Sequence, residues 1–202
     1  MDSNRLNQLI EENYQKIFLL ALKMLKNYED AEDATQDIFL KVYENINSFR
    51  KEAKFTTWIY RIALNHIYYM NNKRSKEINQ FPGAHEMRTE MNANPSSLLH
   101  EKELFVSLEK LINSLSPRQK EVFVMRYYNQ LPFKKIAQIL QKNLGTVKSN
   151  YFFAMQKIKK DLQNQILINK LLGNIQDILP FLELFSAMFT LQKMCGNPFF
   201  LL

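Results

Sequence analysis

Apolar residues recur at intervals of three and four along most of this chain, which is the spacing that places them on one face of an α-helix. The first apolar stripe consists of Leu6, Leu9, Ile10, Ile17, Leu20, Ala21 and Met24. After a polar break at 27–30, the second consists of Ala31, Ala34, Ile38 and Val42. A third follows the polar stretch 48–54 and consists of Trp58, Ile59, Ile62, Ala63, Leu64 and Ile67. The pattern predicts an all-α fold.

The helical pattern is lost over residues 77–97. This segment contains Pro82-Gly83 and the run Asn92-Ala93-Asn94-Pro95-Ser96-Ser97, and both are typical of linkers. The loss of periodicity therefore predicts two small helical domains, 1–76 and 98–163, joined by a linker. An apolar extension, 164–202, follows the second domain.

Short helices and a tight turn characterise the second domain. Ser116-Pro117 is a helix start signal, and Pro132 opens a short helix that the pattern carries to Leu140. The next three residues, 141–143, form a turn, and Asn143 is suited to cap a last helix. Two short helices joined in this way predict a helix-turn-helix, whose second helix enters the major groove of DNA.

The exposed positions at the start of that last helix carry groups that bind DNA. These positions are Thr146, Lys148, Ser149 and Asn150. A lysine reaches phosphate or guanine, an asparagine pairs with adenine, and a serine bonds a base or the backbone. The structural alternative is a helical hairpin with a solvated face, and the net charge of +7 over 101–162 favours the DNA-binding interpretation.

Charge is distributed unevenly along the 202 residues, whose overall net charge is +7. Residues 1–46 have a net charge of −4 and residues 47–100 a net charge of +4. The extension after residue 162 is neutral. An acidic N-terminal segment followed by basic segments indicates that different parts of the chain bind different partners.

Several classes of protein are disfavoured by what the composition lacks. The four glycines are too scattered for a phosphate-binding loop, and the three histidines have no partners at metal-ligand spacing, so we expect no cofactor, no metal and no enzymatic activity. The single cysteine, Cys195, suits a reducing compartment. Arg5, Glu11 and Glu12 interrupt the first apolar residues, so no signal peptide is expected and the chain is predicted to be cytoplasmic.

Four strings in the second domain resemble the C-terminal promoter-binding domain of bacterial sigma factors of the extracytoplasmic-function (ECF) type. The strings are Leu115-Ser116-Pro117-Arg118-Gln119, Val124-Met125-Arg126-Tyr127, Ile136-Ala137 and Gly145-Thr146-Val147-Lys148-Ser149. The resemblance implies that this domain binds the minus-thirty-five element of a promoter. The residues it implies for that contact are Arg118, Thr146, Val147, Lys148, Ser149 and Asn150.

The second helix of the first domain has an acidic face with an apolar rim. The residues of this face are Glu32, Asp33, Gln36, Asp37 and Leu40, whose spacing places them on one side of a helix. Such a face suits a basic helical partner, although a merely solvated acidic face is the structural alternative. The string 28–40 also resembles the sigma segment that binds the clamp of the largest polymerase subunit, which implies docking through these residues.

Basic and aromatic residues are interleaved over 49–65, and single-stranded nucleic acid is bound by this mixture. The segment resembles the one with which ECF sigma factors capture and flip a base of the minus-ten element. The residues implied for this contact are Arg50, Lys54, Phe55, Thr56, Thr57, Trp58, Arg61 and Asn65. For Trp58, a place in the core is an equally good interpretation.

The chain departs from the ECF pattern at several positions. A lysine, Lys135, precedes the Ile-Ala pair where the family usually has glutamate, and Gln141 replaces the usual turn glycine. Asn150 stands where arginine is common. These departures concern which promoter is read rather than the class of protein.

The C-terminal extension is rich in apolar residues but contains Lys170, Asp177, Glu183 and Lys193, and Pro180 would kink a helix. We therefore expect one or two amphipathic helices rather than a stable membrane span. Three roles are open for them: packing on the second domain, binding a partner, or a regulatory role in which they cover the DNA-binding surface.

The resemblance as a whole implies a sigma factor that binds core RNA polymerase at its β′ clamp and β flap. Its further implied partners are promoter DNA and an anti-sigma factor. The alternative function is a stand-alone helix-turn-helix regulator, which would leave the acidic face and the aromatic-basic segment without a role.

Overall fold

The computed structural model of the chain describes residues 3–49, 54–80 and 109–171, and these residues form helices and no strand, which confirms the all-α prediction. The helices are α1 (Ser3–Leu25), α2 (Tyr28–Asn45), α3 (Phe55–Gln80), α4 (Pro117–Phe123), α5 (Phe133–Leu140) and α6 (Leu144–Leu171). A 3₁₀ turn, Ile46–Ser48, follows α2, and a π-helical turn, Val124–Tyr128, continues α4. Residues 109–114 are also helical.

The joint between α1 and α2 is built by two polar residues. Lys26 adopts the left-handed conformation with φ 64°, which ends α1. Asn27 then caps α2, because its side-chain oxygen accepts a 2.8 Å hydrogen bond from the backbone N–H of Asp30. The helix consequently begins at Tyr28, within the stretch 27–30 that the sequence pattern indicated as a polar break.

Helices α1, α2 and α3 pack against one another around a shared apolar core. The fully buried members of this core include Ile17, Leu20, Ala21, Ala31, Ala34, Ile38, Val42, Ile59, Ala63 and Ile67. Most residues of the predicted apolar stripes therefore face the interior, while Leu9, Ile10, Trp58 and Ile62 are only half-buried. Burial of side chains of this kind supplies most of the stability of a helical domain.

The described residues fall into two compact units. The first takes them from Met1–Asn92 and Pro117–Tyr151, and within it α3 contacts α5 while α1 contacts α4 and the π-helical turn. The second takes them from Ala93–Ser116 and Phe152–Leu202. This grouping by contact differs from the division predicted along the sequence, whose boundaries stay a prediction.

The second unit has apolar residues buried on both of its described segments. They are Leu111, Ile112, Leu115, Ala154, Met155, Ile158 and Leu162. Lys157 donates a hydrogen bond to the backbone carbonyl of Ser114. The buried residues of α6 recur at intervals of three and four, so they form one apolar face of that helix.

Parts of the predicted linker and extension lie outside the described residues. Helix α3 continues to Gln80, four residues into the segment predicted as linker, and 81–97 is not described. Helix α6 reaches Leu171, while 172–202 is not described. Within the three described ranges, no helix is long and apolar enough to cross a bilayer.

Candidate functional site

The acidic face of α2 is exposed along its whole length. Glu32, Asp33, Gln36, Asp37 and Leu40 all point to solvent, and the apolar side chain of Leu40 is 62% exposed. The opposite side of the helix carries Ala31, Ala34, Thr35 and Ile38, which are buried. An exposed large apolar residue beside carboxylates is typical of a protein-binding surface.

Asp37 connects this acidic face to a buried histidine of α3. The Oδ2 atom of Asp37 lies 3.3 Å from Nε2 of His66. On the other side of the ring, the ammonium group of Lys41 on α2 donates a 2.5 Å hydrogen bond to Nδ1. Burial and, next, the positive charge of Lys41 hold the pKa of His66 below its ordinary value, while the charge of Asp37 opposes them. His66 is therefore neutral at pH 7.

Three aromatic rings surround the start of α3. The ring centroid of Trp58 lies 5.1 Å from that of Phe49 and 5.7 Å from that of Phe55. Phe55 is buried and Trp58 is half-buried, so the tryptophan belongs partly to this cluster and partly to the surface. Thr57 is buried as well, whereas Thr56 is half-buried.

A cavity of about 390 Å³ lies between α2 and α3. Its lining residues are Lys41, Asn45, Trp58, Ile62, Asn65, His66 and Tyr69. Trp58 and Tyr69 offer flat aromatic surfaces, and the amide of Asn65 offers donors and an acceptor for the edge of a base. The amide nitrogen of Asn45 instead donates to the carbonyl of Lys41. Two of the predicted minus-ten residues, Trp58 and Asn65, are thus brought to one opening.

Arg61 does not join this cavity. Its Nη2 atom donates a 2.7 Å hydrogen bond to the backbone carbonyl of Gln138 on α5, 77 residues further along the chain. Lys54 is exposed, and its backbone carbonyl accepts hydrogen bonds from Thr57 and Trp58 at the start of α3. Arg50 lies outside the described residues. The predicted minus-ten residues are therefore divided among the cavity, the aromatic cluster and the contact with α5.

Further polar contacts join α1 and α3 to the segment from α4 to the π-helical turn. Asn129 donates a 3.1 Å hydrogen bond to the carbonyl of Lys16, and the hydroxyl of Tyr68 donates to the carboxylate of Glu121. Burial raises the pKa of Glu121, and its hydrogen bond with Tyr68 and the positive charges of Arg118 and Lys142 oppose that shift.

The turn between α5 and α6 has the geometry of a helix-turn-helix joint. Gln141 takes the left-handed conformation with φ 53°, which ends α5, and its N–H bonds to the carbonyl of Ala137. Asn143 accepts a 2.7 Å hydrogen bond from the N–H of Thr146, which confirms the predicted cap of α6. A Cβ atom at Gly145 would lie 3.3 Å from the capping oxygen of Asn143, so a larger residue would crowd the cap.

The predicted minus-thirty-five residues differ in exposure. Arg118, Thr146, Lys148 and Ser149 are exposed, and Asn150 is half-buried. Val147 is completely buried, so it supports the helix and does not present its side chain to a ligand.

Sequence reasoning missed the residues that join helices distant in sequence. His66 falls in the buried stripe of α3 one residue before Ile67, and that position was a signal for its burial. No periodicity in the sequence signals that Arg61 contacts Gln138, because the contact depends on the packing of α3 against α5. Among the described residues, no group of three or more His, Cys, Asp or Glu side chains is arranged to hold a metal ion.

Two family comparisons cover separate parts of the chain. Residues 9–77 match sigma-70 region 2, and residues 105–158 match sigma-70 region 4. The chain is 28% identical to the ECF RNA polymerase sigma factor SigW of Bacillus subtilis, over 81% of this chain and 91% of that protein. It is 26% identical to the RNA polymerase sigma-H factor of Pseudomonas aeruginosa, over 80% of this chain and 88% of that protein.

Solved structures show the same fold. The sigma factor RpoE of Bartonella quintana, in complex with the anti-sigma factor NepR, matches with a TM-score of 0.65 at 22% identity, over 78% of this chain and 96% of that one. CnrH, in complex with the cytosolic domain of CnrY, matches with a TM-score of 0.60 at 16% identity, over 81% of this chain and 90% of that one.

Proposed function

Since the chain belongs to the ECF group of sigma-70 factors, which direct RNA polymerase to promoters, we propose that three of its surfaces divide this work among them. The observation that carries the proposal is the arrangement of α2 and α3. One side of α2 presents an exposed acidic face, and the groove beside it opens into a cavity with aromatic and amide walls.

The acidic face of α2 is the proposed docking site for core polymerase. Glu32, Asp33, Gln36 and Asp37 offer negative and polar groups, and Leu40 offers an apolar contact at the rim. Charges of this kind steer a basic partner and fix its orientation, while the exposed leucine gains stability when the partner covers it. The partner that fits is a basic helical element such as the β′ clamp.

The cavity between α2 and α3 is the proposed site for an unstacked base of the minus-ten element. Its volume of about 390 Å³ is within the usual range for small-ligand sites. Flipping a base costs a few kcal/mol, which stacking on Trp58 or Tyr69 and hydrogen bonds to Asn65 would offset. Arg61 reaches the strand only after it leaves the carbonyl of Gln138.

The exposed start of α6 is the proposed reader of the minus-thirty-five duplex. The cap at Asn143 fixes the first turn of this helix, from which Thr146, Lys148 and Ser149 project. Arg118, at the start of α4, adds a phosphate contact. The β flap of the polymerase is the protein partner proposed for this domain.

An anti-sigma factor is the proposed regulatory partner. Both solved structures cited above are complexes, one of the sigma factor RpoE with the anti-sigma factor NepR and the other of CnrH with the cytosolic domain of CnrY. The place of action that follows from a role with RNA polymerase is the cytoplasm, and the role requires no catalytic group of the chain itself.

Reconstituted transcription tests this function. Purified chain is added to core polymerase with a library of bacterial DNA fragments, and the start sites of the transcripts are mapped. We expect new start sites that share two elements and that disappear when the chain is omitted. If the chain instead binds duplex sites but yields no polymerase-dependent starts, it acts as a stand-alone helix-turn-helix regulator.

A further inference from the structure

Three basic side chains meet where α3 packs against α5. Arg61 of α3 bonds to the carbonyl of Gln138, and Lys135 lies one helical turn before Gln138 on the same side of α5. Lys54 directly precedes α3, and its charge lies close enough to that of Lys135 to lower the pKa of this second lysine. The contact between the two helices therefore brings together three cations.

Two of these cations have buried nitrogen atoms without a partner. The Nε atom of Arg61 and the Nζ atom of Lys135 are inaccessible to solvent and make no hydrogen bond. Among the described residues, neither these two side chains nor Lys54 forms an ion pair with a carboxylate. Burial lowers the pKa of Lys135, and the nearby charge of Lys54 lowers it further, so the two lysines lie close enough to repel each other.

These three neighbouring cations would be stabilised by a bound anion. A buried charged donor that is left unsatisfied costs free energy, and a second and third cation beside it add repulsion. An anion that accepts from Lys135 Nζ and Arg61 Nε would remove both costs. We propose that Lys54, Arg61 and Lys135 form a binding site for a phosphoryl group at the contact between α3 and α5.

The geometry favours a small tetrahedral anion over a carboxylate. Three cations from two helices surround the site, and a phosphate dianion offers them more charge and more acceptor oxygens than a carboxylate does. Because the two nitrogen atoms are inaccessible to solvent, an anion reaches them only when α3 and α5 separate slightly. Free phosphate or the terminal phosphate of a nucleotide needs a smaller opening than a phosphate within a DNA strand, which has a sugar on each side. Exposed Lys54 lies at the rim, where the anion would enter.

A bound phosphoryl group would hold α3 and α5 together. It would neutralise the repulsion between Lys54 and Lys135 and would keep Arg61 beside Gln138. The site thus couples a small anion to the packing of two helices. The coupling is a property of the chain itself, independent of polymerase and promoter, so its test does not depend on the function proposed above.

Thermal unfolding of the full chain in sodium phosphate, with sodium chloride at equal ionic strength as reference, tests the proposal. We expect phosphate to raise the unfolding midpoint in a saturable manner, and calorimetric titration to give a dissociation constant on the order of millimolar. Lys135→Met removes the buried ammonium and keeps the volume of the side chain. It should weaken phosphate binding by about tenfold or more.

Two further variants make the result specific to this site. Lys134→Met removes an exposed lysine from the adjacent position of α5 and should leave the phosphate response unchanged. Lys135→Glu places a carboxylate beside Lys54 and Arg61, so it should raise the midpoint without phosphate and abolish the response to it. Equal responses from the parent, Lys135→Met and Lys134→Met would overturn the proposal.

The source of the phosphoryl group is resolved by repeating the titration with ATP and with a short DNA duplex. A stronger response to ATP than to phosphate assigns the site to a nucleotide, and an equal or weaker one assigns it to inorganic phosphate. A response that depends on Lys135 for DNA but is absent for both small anions would contradict the proposal.

Discussion

Helices α2 and α3 are neighbours in one core, yet they present their functional residues in different ways. On α2, every residue of the acidic face is exposed, and among them Asp37 also lies 3.3 Å from His66 of α3. On α3, Asn65 is exposed at the cavity, Trp58 is shared between the cavity and an aromatic cluster, and Arg61 is engaged with α5. The proposed docking face of α2 is therefore open to solvent, while part of the proposed strand-binding segment of α3 makes an internal contact.

This difference follows from how many sides of each helix are covered. Helix α2 contacts α1 and α3 on one side, so its other side remains open. Helix α3 contacts α1, α2 and also α5, so residues on a second side are covered. From the sequence alone, a charged residue on α3 can be assigned either to a ligand contact or to a contact with a neighbouring helix. The following predictions test the contrast.

The largest effect is expected at the open face of α2. The double variant Glu32→Lys with Asp33→Lys reverses two exposed charges and should weaken binding to core polymerase by about 3 kcal/mol, or roughly a hundredfold. Affinity for fluorescently labelled core provides the measurement. The matched control, Glu11→Lys with Glu12→Lys, reverses two exposed charges of α1 and should bind core as the parent does. Unchanged affinity of the α2 variant would rule out docking through this face.

A second open surface, the start of α6, should respond almost as strongly. Lys148→Ala removes an exposed ammonium and should weaken binding to a minus-thirty-five duplex by about 1–3 kcal/mol. A loss of affinity that is equal for all DNA sequences would indicate that Lys148 contacts phosphate. A loss of discrimination at one base pair would indicate that it contacts a base. Lys160→Ala, an exposed lysine further along α6, serves as the control and should retain the affinity of the parent.

Arg61 should reveal its internal role through stability. Arg61→Gln removes the hydrogen bond from a charged donor to the carbonyl of Gln138 and should lower the free energy of unfolding by about 1–2 kcal/mol. Denaturant titration measures this loss. Asn65→Ala on the same helix should weaken single-strand binding but leave the unfolding free energy within about 0.5 kcal/mol of the parent, because its side chain is exposed. If both variants unfold alike, Arg61 and Asn65 do not differ as the structure indicates.

The smallest effect concerns pH. Burial holds the pKa of His66 below its ordinary value of 6.5, so the unfolded chain binds a proton at a higher pH than the folded chain does. The contribution of His66 to stability is present above pH 6.5 and is lost as the pH falls toward the lower folded value. His66→Gln should therefore flatten the decline of the unfolding midpoint over this acidic range. A decline as steep as that of the parent would mean that another group causes it.

Local features of the chain were predictable from the sequence. The acidic face of α2 follows from helical spacing, and the cap of α6 follows from the type of residue at Asn143. Both depend on residues within a few positions of one another. The apolar stripes were predictable for the same reason, since burial of Ile38 or Ile59 requires only a periodic pattern.

Contacts between distant segments were not predictable in this way. The engagement of Arg61 by α5, the pair of Tyr68 and Glu121 and the place of His66 beside Asp37 all depend on how helices pack. The π-helical turn Val124–Tyr128 was also missed, since its residues have an ordinary helical pattern. Sequence reasoning therefore identified candidate segments, and the structure added which of their side chains are exposed.

The hydrogen bond between Asn129 and the carbonyl of Lys16 has a consequence for synthesis on the ribosome. Its two residues are 113 positions apart, so at about 5–20 residues per second Asn129 emerges roughly 6–23 s after Lys16. Within that interval, from the emergence of Gln80 to that of Pro117, α1, α2 and α3 are complete and their shared core can form without α4, α5 or α6. A nascent chain in this state carries an open α2 face and an Arg61 that has not yet met Gln138. The order of emergence thus gives a newly made chain a period in which its strand-binding segment is uncovered.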